Sequence, residues 1–272
     1  MSILEEIQEG YINFSDKEKM IATYLLQNSE TIANINISEL ARLTHSSPSS
    51  ITRFAKKVNC QSFVDLKIKL NMTSPKKKHF DEGKSNKVYD FYNKVIENTK
   101  EMTNPEDIEQ VVRDIHQAER ILVLGVGSSG LTATELTQRL LRMGLNVTAI
   151  TDPHFMIISS SIAKENDLVI GISTSGETVE VVNSLNLAKQ TGAKIVSLTS
   201  FSASQVAMVS ETSLIAYSSL FVDNKRFVNS QFAMMYLVDI MTTLLLEDSN
   251  LNRNMDRTIA VITQSVEENI EE

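Results

Sequence analysis

The chain has 272 residues, 42% of them hydrophobic and 22% charged, an ordinary globular composition that argues against disorder and leaves room for two domains of common size. Its apolar runs are short, residues 233–238 being stopped by Asp239, well under the roughly 20 residues that a membrane-spanning helix needs. Residues 1–10 hold three glutamates and no basic side chain, unlike a secretory signal, and the lone Cys60 excludes an internal disulfide and a multi-cysteine metal site. These features predict a cytoplasmic protein in which Cys60 is a small packing residue.

The net charge of −8 is unevenly spread. Residues 1–78 carry 11 basic and 8 acidic side chains, whereas residues 79–272 carry 15 and 26. Between Arg42 and Lys78 there are nine basic residues and one acid, Asp65. Such a local excess is the footprint expected for a polyanion partner.

Four short helices are expected in the first 72 residues. Ser15 and Glu18 form a capping box that opens a helix running to about Asn28. Ser38 opens a second through Leu40 and Leu43, Ser47-Pro48 a third that ends near Val58 with Asn59 as a left-handed stop, and Ser62 with Asp65 a fourth through Leu66 and Leu70. Residues 73–86, polar and interrupted by Pro75 and Gly83, read as a linker, followed by helices over 87–102 and from Asn104-Pro105 onward. From Arg120, β-rich runs at 121–124, 147–150, 168–172, 195–198 and 214–217 alternate with helical patterns, the mark of a parallel sheet built from βαβ units. Helices over 226–246 and 254–270 close the chain. The expected organisation is an all-α helix-turn-helix domain at 1–77, a linker and connecting helix at 78–103, and an α/β domain at 104–272.

On the third helix Ile51, Phe54, Ala55 and Val58 share one side at helical spacing, which leaves Ser49, Ser50, Thr52, Arg53, Lys56 and Lys57 facing outward. All six donate hydrogen bonds or carry positive charge, as a recognition helix on double-stranded DNA requires: hydroxyls and Arg can read base edges while Lys neutralises phosphate. Phe14-Ser15-Asp16-Lys17-Glu18-Lys19, Ser38-Glu39-Leu40-Ala41, Ser50-Ile51-Thr52-Arg53-Phe54 and Phe63-Val64-Asp65-Leu66-Lys67 resemble the N-terminal domain of the RpiR family of bacterial transcription regulators. That family usually has a glycine after the recognition helix, where this chain has Asn59, which tolerates the same conformation.

Gly125-Val126-Gly127-Ser128-Ser129-Gly130 follows the first strand and opens a helix, so its amides and the positive helix end would face an anion. Read literally it is G-x-G-x-x-G, and Asp152 ends the second strand, which leaves open a dinucleotide site with the acid on the ribose. Against this, the third strand leads into Ser173-Thr174-Ser175-Gly176-Glu177-Thr178, a second hydroxyl-rich loop at a helix start that suits a compact phosphate gripped from two sides. The Gly127-Ser128-Ser129 turn and the second loop resemble the SIS (sugar isomerase) domain, which binds phosphosugars in isomerases, synthases and RpiR-type regulators. The resemblance implies that Ser129, Ser173, Ser175 and Thr178 hold the phosphate, assisted by Ser128 and the Thr174 amide, in a three-layer, flavodoxin-like domain with a five-stranded parallel sheet that dimerises or forms tetramers. The chain departs from the family at Ser230-Gln231, where members often have Ser-Arg.

Isomerisation would need a base, and Glu177 and His154 are the only candidates near the loops. Glu177 more simply stabilises its helix N-terminus, and His154 suits a structural or sugar-contacting role. The expectation is therefore a DNA-binding regulator controlled by a sugar phosphate, with no catalytic residue, metal site, cofactor or membrane partner. A phosphosugar isomerase with a basic appendage and an NAD(H)-responsive regulator are the alternatives.

Overall fold

The computed structural model describes residues 3–28, 32, 35–73, 84–219 and 229–268. The chain divides into two compact units, Met1–Asn98 with Tyr217–Ser230, and Thr99–Ala216 with Gln231–Glu272.

The first unit is helical: α1 (Ile3–Gly10), a 3-10 turn (Tyr11–Asn13), α2 (Asp16–Gln27), α3 (Ile37–Leu43), α4 (Pro48–Lys57), α5 (Phe63–Thr73) and most of α6 (Lys84–Met102). The Ser15 amide donates to the Glu18 carboxylate at 2.8 Å, closing the expected capping box at the start of α2. Ile7, Ile21, Leu25, Leu40, Ile51, Phe54, Leu66 and Leu70 form a buried core, with the rings of Phe14 and Phe54 meeting edge to face at 5.2 Å. Cys60 is buried, and burial pushes its thiol above the ordinary range, which suits packing rather than reactivity.

Three local readings change. Asn36, not Ser38, caps α3, its side-chain oxygen accepting from the Glu39 amide at 2.9 Å. α1 is a helix beyond those expected: it lacks a cap signal and has only Ile3, Leu4 and Ile7 as an apolar stripe, all three of which are buried. α6 begins at Lys84, so the last residues of the expected linker are helical, while its positions 74–83 lie outside the described residues.

The second unit holds α7 (Pro105–Gln117), β1 (Arg120–Gly125), α8 (Ser128–Arg142), β2 (Val147–Ile150), α9 (Pro153–Ser161), β3 (Asp167–Ile172), α10 (Val179–Gln190), β4 (Lys194–Thr199), α11 (Gln205–Val209), β5 (Thr212–Ile215), α12 (Phe232–Leu245) and α13 (Ser249–Glu268). The five strands are all parallel in the order β2-β1-β3-β4-β5. Every residue of β3 is buried, as a central strand covered on both faces must be. Leu122, Leu124, Val169 and Ile195 pack beneath α9, α10 and α11 with Met156, Leu185 and Val206, so the alternate residues Ile121, Val123, Ile170 and Val196 serve the opposite layer. That layer contains α8, which lies on β1 and β2 and meets α12, itself packed on α7.

β5 runs two residues earlier than its apolar pattern suggested, because the strand starts with the polar pair Thr212-Ser213, and the Ser213 and Ser197 hydroxyls bond across to β4 at 2.8 Å. α12 starts at Phe232 rather than Arg226, residues 226–228 being outside the described set. α13 starts at Ser249 rather than Asn254, since Asp248 caps it by accepting from the Asn250 and Leu251 amides at 2.8 and 3.0 Å. Among the described residues, no helix is long and apolar enough to cross a membrane.

Asn59 takes the left-handed conformation, φ 54°, and the Cys60 amide donates to the Ala55 carbonyl at 2.8 Å to finish α4. Asn59→Gly should leave the chain as stable or slightly more so, whereas Asn59→Ala should cost about 1 kcal/mol. Urea unfolding of the full chain checks the order, and an alanine variant as stable as the glycine one would contradict it.

Candidate functional site

In the first unit, α3 and α4 are joined by a turn in which His45 adopts φ 46° and the Ser46 amide donates to the Ala41 carbonyl at 2.8 Å. Pro48 at the first helical position and the Ser47 cap, which accepts from the Ser50 amide at 3.2 Å, fix the start of α4. Ile51, Phe54 and Ala55 are fully buried, which settles the helix's inner side and leaves Ser49, Arg53, Lys56 and Lys57 exposed and Ser50 and Thr52 half-buried.

The six residues are not equivalent. The Ser47 hydroxyl lies 2.8 and 2.9 Å from those of Ser49 and Ser50, so the helix opens on a cluster of three hydroxyls. The Thr52 hydroxyl donates back to the Pro48 carbonyl, and one Arg53 nitrogen reaches the Ser50 hydroxyl at 3.5 Å. Lys56 has no partner among the described residues. Lys57 does: its ammonium donates to Glu18 at 2.8 Å and the Asn13 carbonyl at 3.3 Å, and sits 5.2 Å from the Phe14 ring centre. Burial works to raise the Glu18 carboxyl, but hydrogen bonds from Lys57 and Ser15 and the Lys57 charge outweigh it and hold the group below its ordinary value.

In the second unit the two loops meet at the carboxyl ends of neighbouring strands. β1 and β3 pair through Gly125↔Ile172, so residues 126–129 and 173–178 leave the sheet side by side. In the order β2-β1-β3, the chain leaves β1 and β3 towards opposite faces, and this crevice is where open α/β sheets place ligands.

Gly127 caps α8 with φ 58° and ψ −127°, a conformation closed to other residues, and a Cβ there would meet no atom within 4 Å. Its α-carbon thus borders open space. Gly176, φ 70°, is the opposite case: a Cβ would fall 2.1 Å from the Ser204 hydroxyl, so the loop can lie against 199–204 only with glycine. The Gly176 amide donates to the Ser173 hydroxyl at 3.1 Å, and that hydroxyl stands 2.9 Å from Thr178 and 3.5 Å from Ser175. Thr178 caps α10 by position without spending its side chain on it. Ser129 is buried, and its hydroxyl makes no bond to a described residue, while Ser128 and Ser175 are exposed. Three hydroxyls of the second loop, Ser173, Ser175 and Thr178, thus lie within 3.5 Å of one another along the chain of contacts, Ser128 and Ser129 begin the helix after the neighbouring strand, and neither loop contains a basic side chain.

Of the three residues weighed for other chemistry, two are otherwise occupied. Asp152 caps α9, one oxygen accepting from the His154 and Phe155 amides at 2.9 and 3.0 Å. Glu177 accepts from the Gln205 amide at 3.1 Å, fastening the loop to α11. His154 is exposed beside Phe155 and makes no hydrogen bond to either loop. The residue that composition did not bring forward is Gln231, buried at the start of α12: its amide donates to the Thr174 hydroxyl at 3.0 Å and its carbonyl accepts from Thr132 at 3.0 Å. Its only signal in the sequence was a departure from the family pattern, and Thr132 gave none.

A family model described as a helix-turn-helix domain of the rpiR family matches residues 1–77, and one described as the SIS domain matches residues 114–244. The chain belongs to the RpiR family. An uncharacterised HTH-type transcriptional regulator of Clostridium perfringens is 29% identical over 91% of this RpiR-family chain and 93% of its own length. Among solved structures, the Vibrio vulnificus NanR protein complexed with ManNAc-6P is similar with a TM-score of 0.62 at 24% identity, over 97% of this chain and 98% of that one. The sugar isomerase domain of an RpiR transcription factor from Sphaerobacter thermophilus gives 0.58 at 23% identity, over 68% of this chain and 98% of that one.

Because the Glu18 carboxyl is lowered in the folded chain, its contribution to stability is complete above the ordinary carboxylate range and is lost as pH falls through the lowered value. Lys57→Met should move the Glu18 carboxyl upward, measured by NMR titration of the labelled side chain. An unchanged titration would mean that the pair does not hold in solution.

Proposed function

We propose that the chain is a transcription regulator that binds double-stranded DNA through α4 and changes its affinity for operator when a sugar phosphate occupies the crevice between residues 127–129 and 173–178. The observation that carries the reading is the pair of hydroxyl-lined loops, each opening a helix, side by side beyond β1 and β3. Phosphate oxygens accept, and apart from Glu177, which is turned to the Gln205 amide, the polar groups of the loops can donate: the hydroxyls of Ser128, Ser129, Ser173, Ser175 and Thr178, the Thr174 amide and two positive helix ends. Gly127 gives the anion room, and His154, beyond β2, serves the sugar. The phosphosugar bound by the similar NanR protein supports the same ligand class.

The uses found for Asp152 and Glu177 favour this reading over its rivals. Asp152 is committed to capping α9, which weakens a ribose contact and with it the NAD(H) reading. Glu177 is tied to α11, so a non-catalytic role is favoured over isomerisation. As a homodimer, or a pair of dimers, the regulator would present two α4 helices to two half-sites, whose spacing the effector alters.

On DNA, Arg53 reads bases from the exposed side of α4, Ser49, Ser50 and Thr52 contribute hydroxyls, and Lys56 neutralises phosphate. Lys57 adds less, because Glu18 already balances its charge. With an operator selected from random duplexes, Arg53→Ala should cost about 1–3 kcal/mol and relax sequence preference, while Lys56→Ala should weaken all duplexes and lower the salt slope by about 1. Lys57→Ala should change the salt slope least, measured by fluorescence anisotropy across a salt series. Equal effects of all three would sink these assignments.

For the effector, thermal denaturation against hexose, amino-sugar, N-acetyl-sugar and pentose phosphates should single out one. At about 100 times its Kd it adds roughly 2.7 kcal/mol, and the shift should vanish with the unphosphorylated sugar and in Ser175→Ala. A shift with NADH and none with any sugar phosphate would replace this reading by the dinucleotide one.

A further inference from the structure

Two threonines on different elements, Thr132 in the second turn of α8 and Thr174 in the loop after β3, are joined through one buried carboxamide. Gln231 is 7% exposed and Thr132 2%, so both are shielded from water that could replace their bonds. The bonds have a direction. The Thr132 hydroxyl donates to the Gln231 carbonyl at 3.0 Å, and the Gln231 amide donates to the Thr174 oxygen at 3.0 Å. Having accepted, the Thr174 oxygen keeps its own proton to give, and no acceptor for it stands among the described residues. Thr174 is half-buried in the same loop as Ser173, Ser175 and Thr178, between two residues whose hydroxyls interact, so its proton is not sealed away from that loop.

We propose that Gln231 is a positioning residue of the anion site: by donating to Thr174 and accepting from Thr132, it fixes the distance between the two loops and turns the Thr174 hydroxyl into a donor towards phosphate. The inference rests on the phosphate reading above and adds to it a side-chain contact from Thr174 and the residue that sets its polarity. A carboxylate at 231 would reverse the relay. It would accept from both threonines, consume the Thr174 proton and place a negative charge behind the anion.

The test is calorimetric titration of the full chain with inorganic phosphate and with glucose 6-phosphate, glucosamine 6-phosphate, N-acetylmannosamine 6-phosphate and ribose 5-phosphate. Gln231→Leu, which keeps the bulk and removes both bonds, should weaken phosphate-dependent binding roughly tenfold or more, the scale of one hydrogen bond to a charged group. Gln231→Glu should weaken it further. Thr174→Val should match the loss in Gln231→Leu, and Thr174→Ser should restore most of it. The decisive reading is the double variant: if Gln231 acts through Thr174, adding Gln231→Leu to Thr174→Val weakens binding little more, whereas a merely structural role makes the two losses multiply. Circular dichroism melts without ligand identify a variant that fails to fold, in which case Gln231→Met replaces the leucine. A wild type that binds none of the five probes removes the anion site and this proposal together. A wild type that binds while Gln231→Glu binds equally well overturns this proposal alone.

Discussion

The parallel pairing of β1 with β3, in register from Arg120↔Asp167 to Gly125↔Ile172, is the constraint on which the second unit's chemistry depends. Because the chain returns from β2 across β1 to reach β3, the helices that follow β1 and β3 must leave on opposite faces of the sheet. A crevice is then unavoidable at the carboxyl ends, and whatever residues begin the two helices become its walls. In this chain those residues are mostly serine, threonine and glycine, the acid among them, Glu177, being turned to the Gln205 amide, so the topology converts two unremarkable turns into one donor-lined cleft. The buried carboxamide of Gln231 spans from α12 between Thr132 and Thr174, tying α8 to the loop after β3.

The first unit solves a different problem with the same economy. α4 has one buried stripe and must keep its other side clear of intramolecular bonds if that side is to meet a partner. Ile51, Phe54 and Ala55 anchor it, and the exposed arc is graded in consequence: Lys56 is unengaged among the described residues, Arg53 has one long contact, and Lys57 is drawn back to Glu18 and the Phe14 ring. The pairing of Lys57 also links α4 to the capping box of α2, so a residue that looks from spacing alone like part of a binding face contributes to holding two helices together.

Periodicity and caps made most of this legible. The capping box at Ser15, the Ser47-Pro48 start, the Asn59 stop and the alternation of strands with helices each have a local physical cause, and each stands in the structure. What could not be read were features set by partners distant in sequence. Nothing near Glu18 announces Lys57, 39 residues on, and nothing near Thr132 or Thr174 announces an amide at 231. Asp152 and Glu177 were read as alternatives for the same kind of reason. A carboxylate at a strand end can serve a ligand or a helix, and only the positions of the His154, Phe155 and Gln205 amides decide which. Asn36 against Ser38 was a choice between two good caps two residues apart, a distinction finer than helix signals carry.

The charge distribution gives the two units opposite electrostatic terms. DNA approaches the first unit, whose sequence from residue 42 to 78 holds nine basic side chains and one acid, so long-range attraction brings it in and salt weakens it. A phosphosugar approaches the second unit, where acids outnumber bases 21 to 10, and meets loops without a cation. Its binding cannot be carried by bulk charge and must come from short, directed donors and helix ends that act within the first turn. Such a site discriminates by geometry: an anion must present several acceptors at once, as phosphate does, to gain enough to offset the surrounding repulsion. It also makes the direction of each hydroxyl proton matter more than it would beside a lysine.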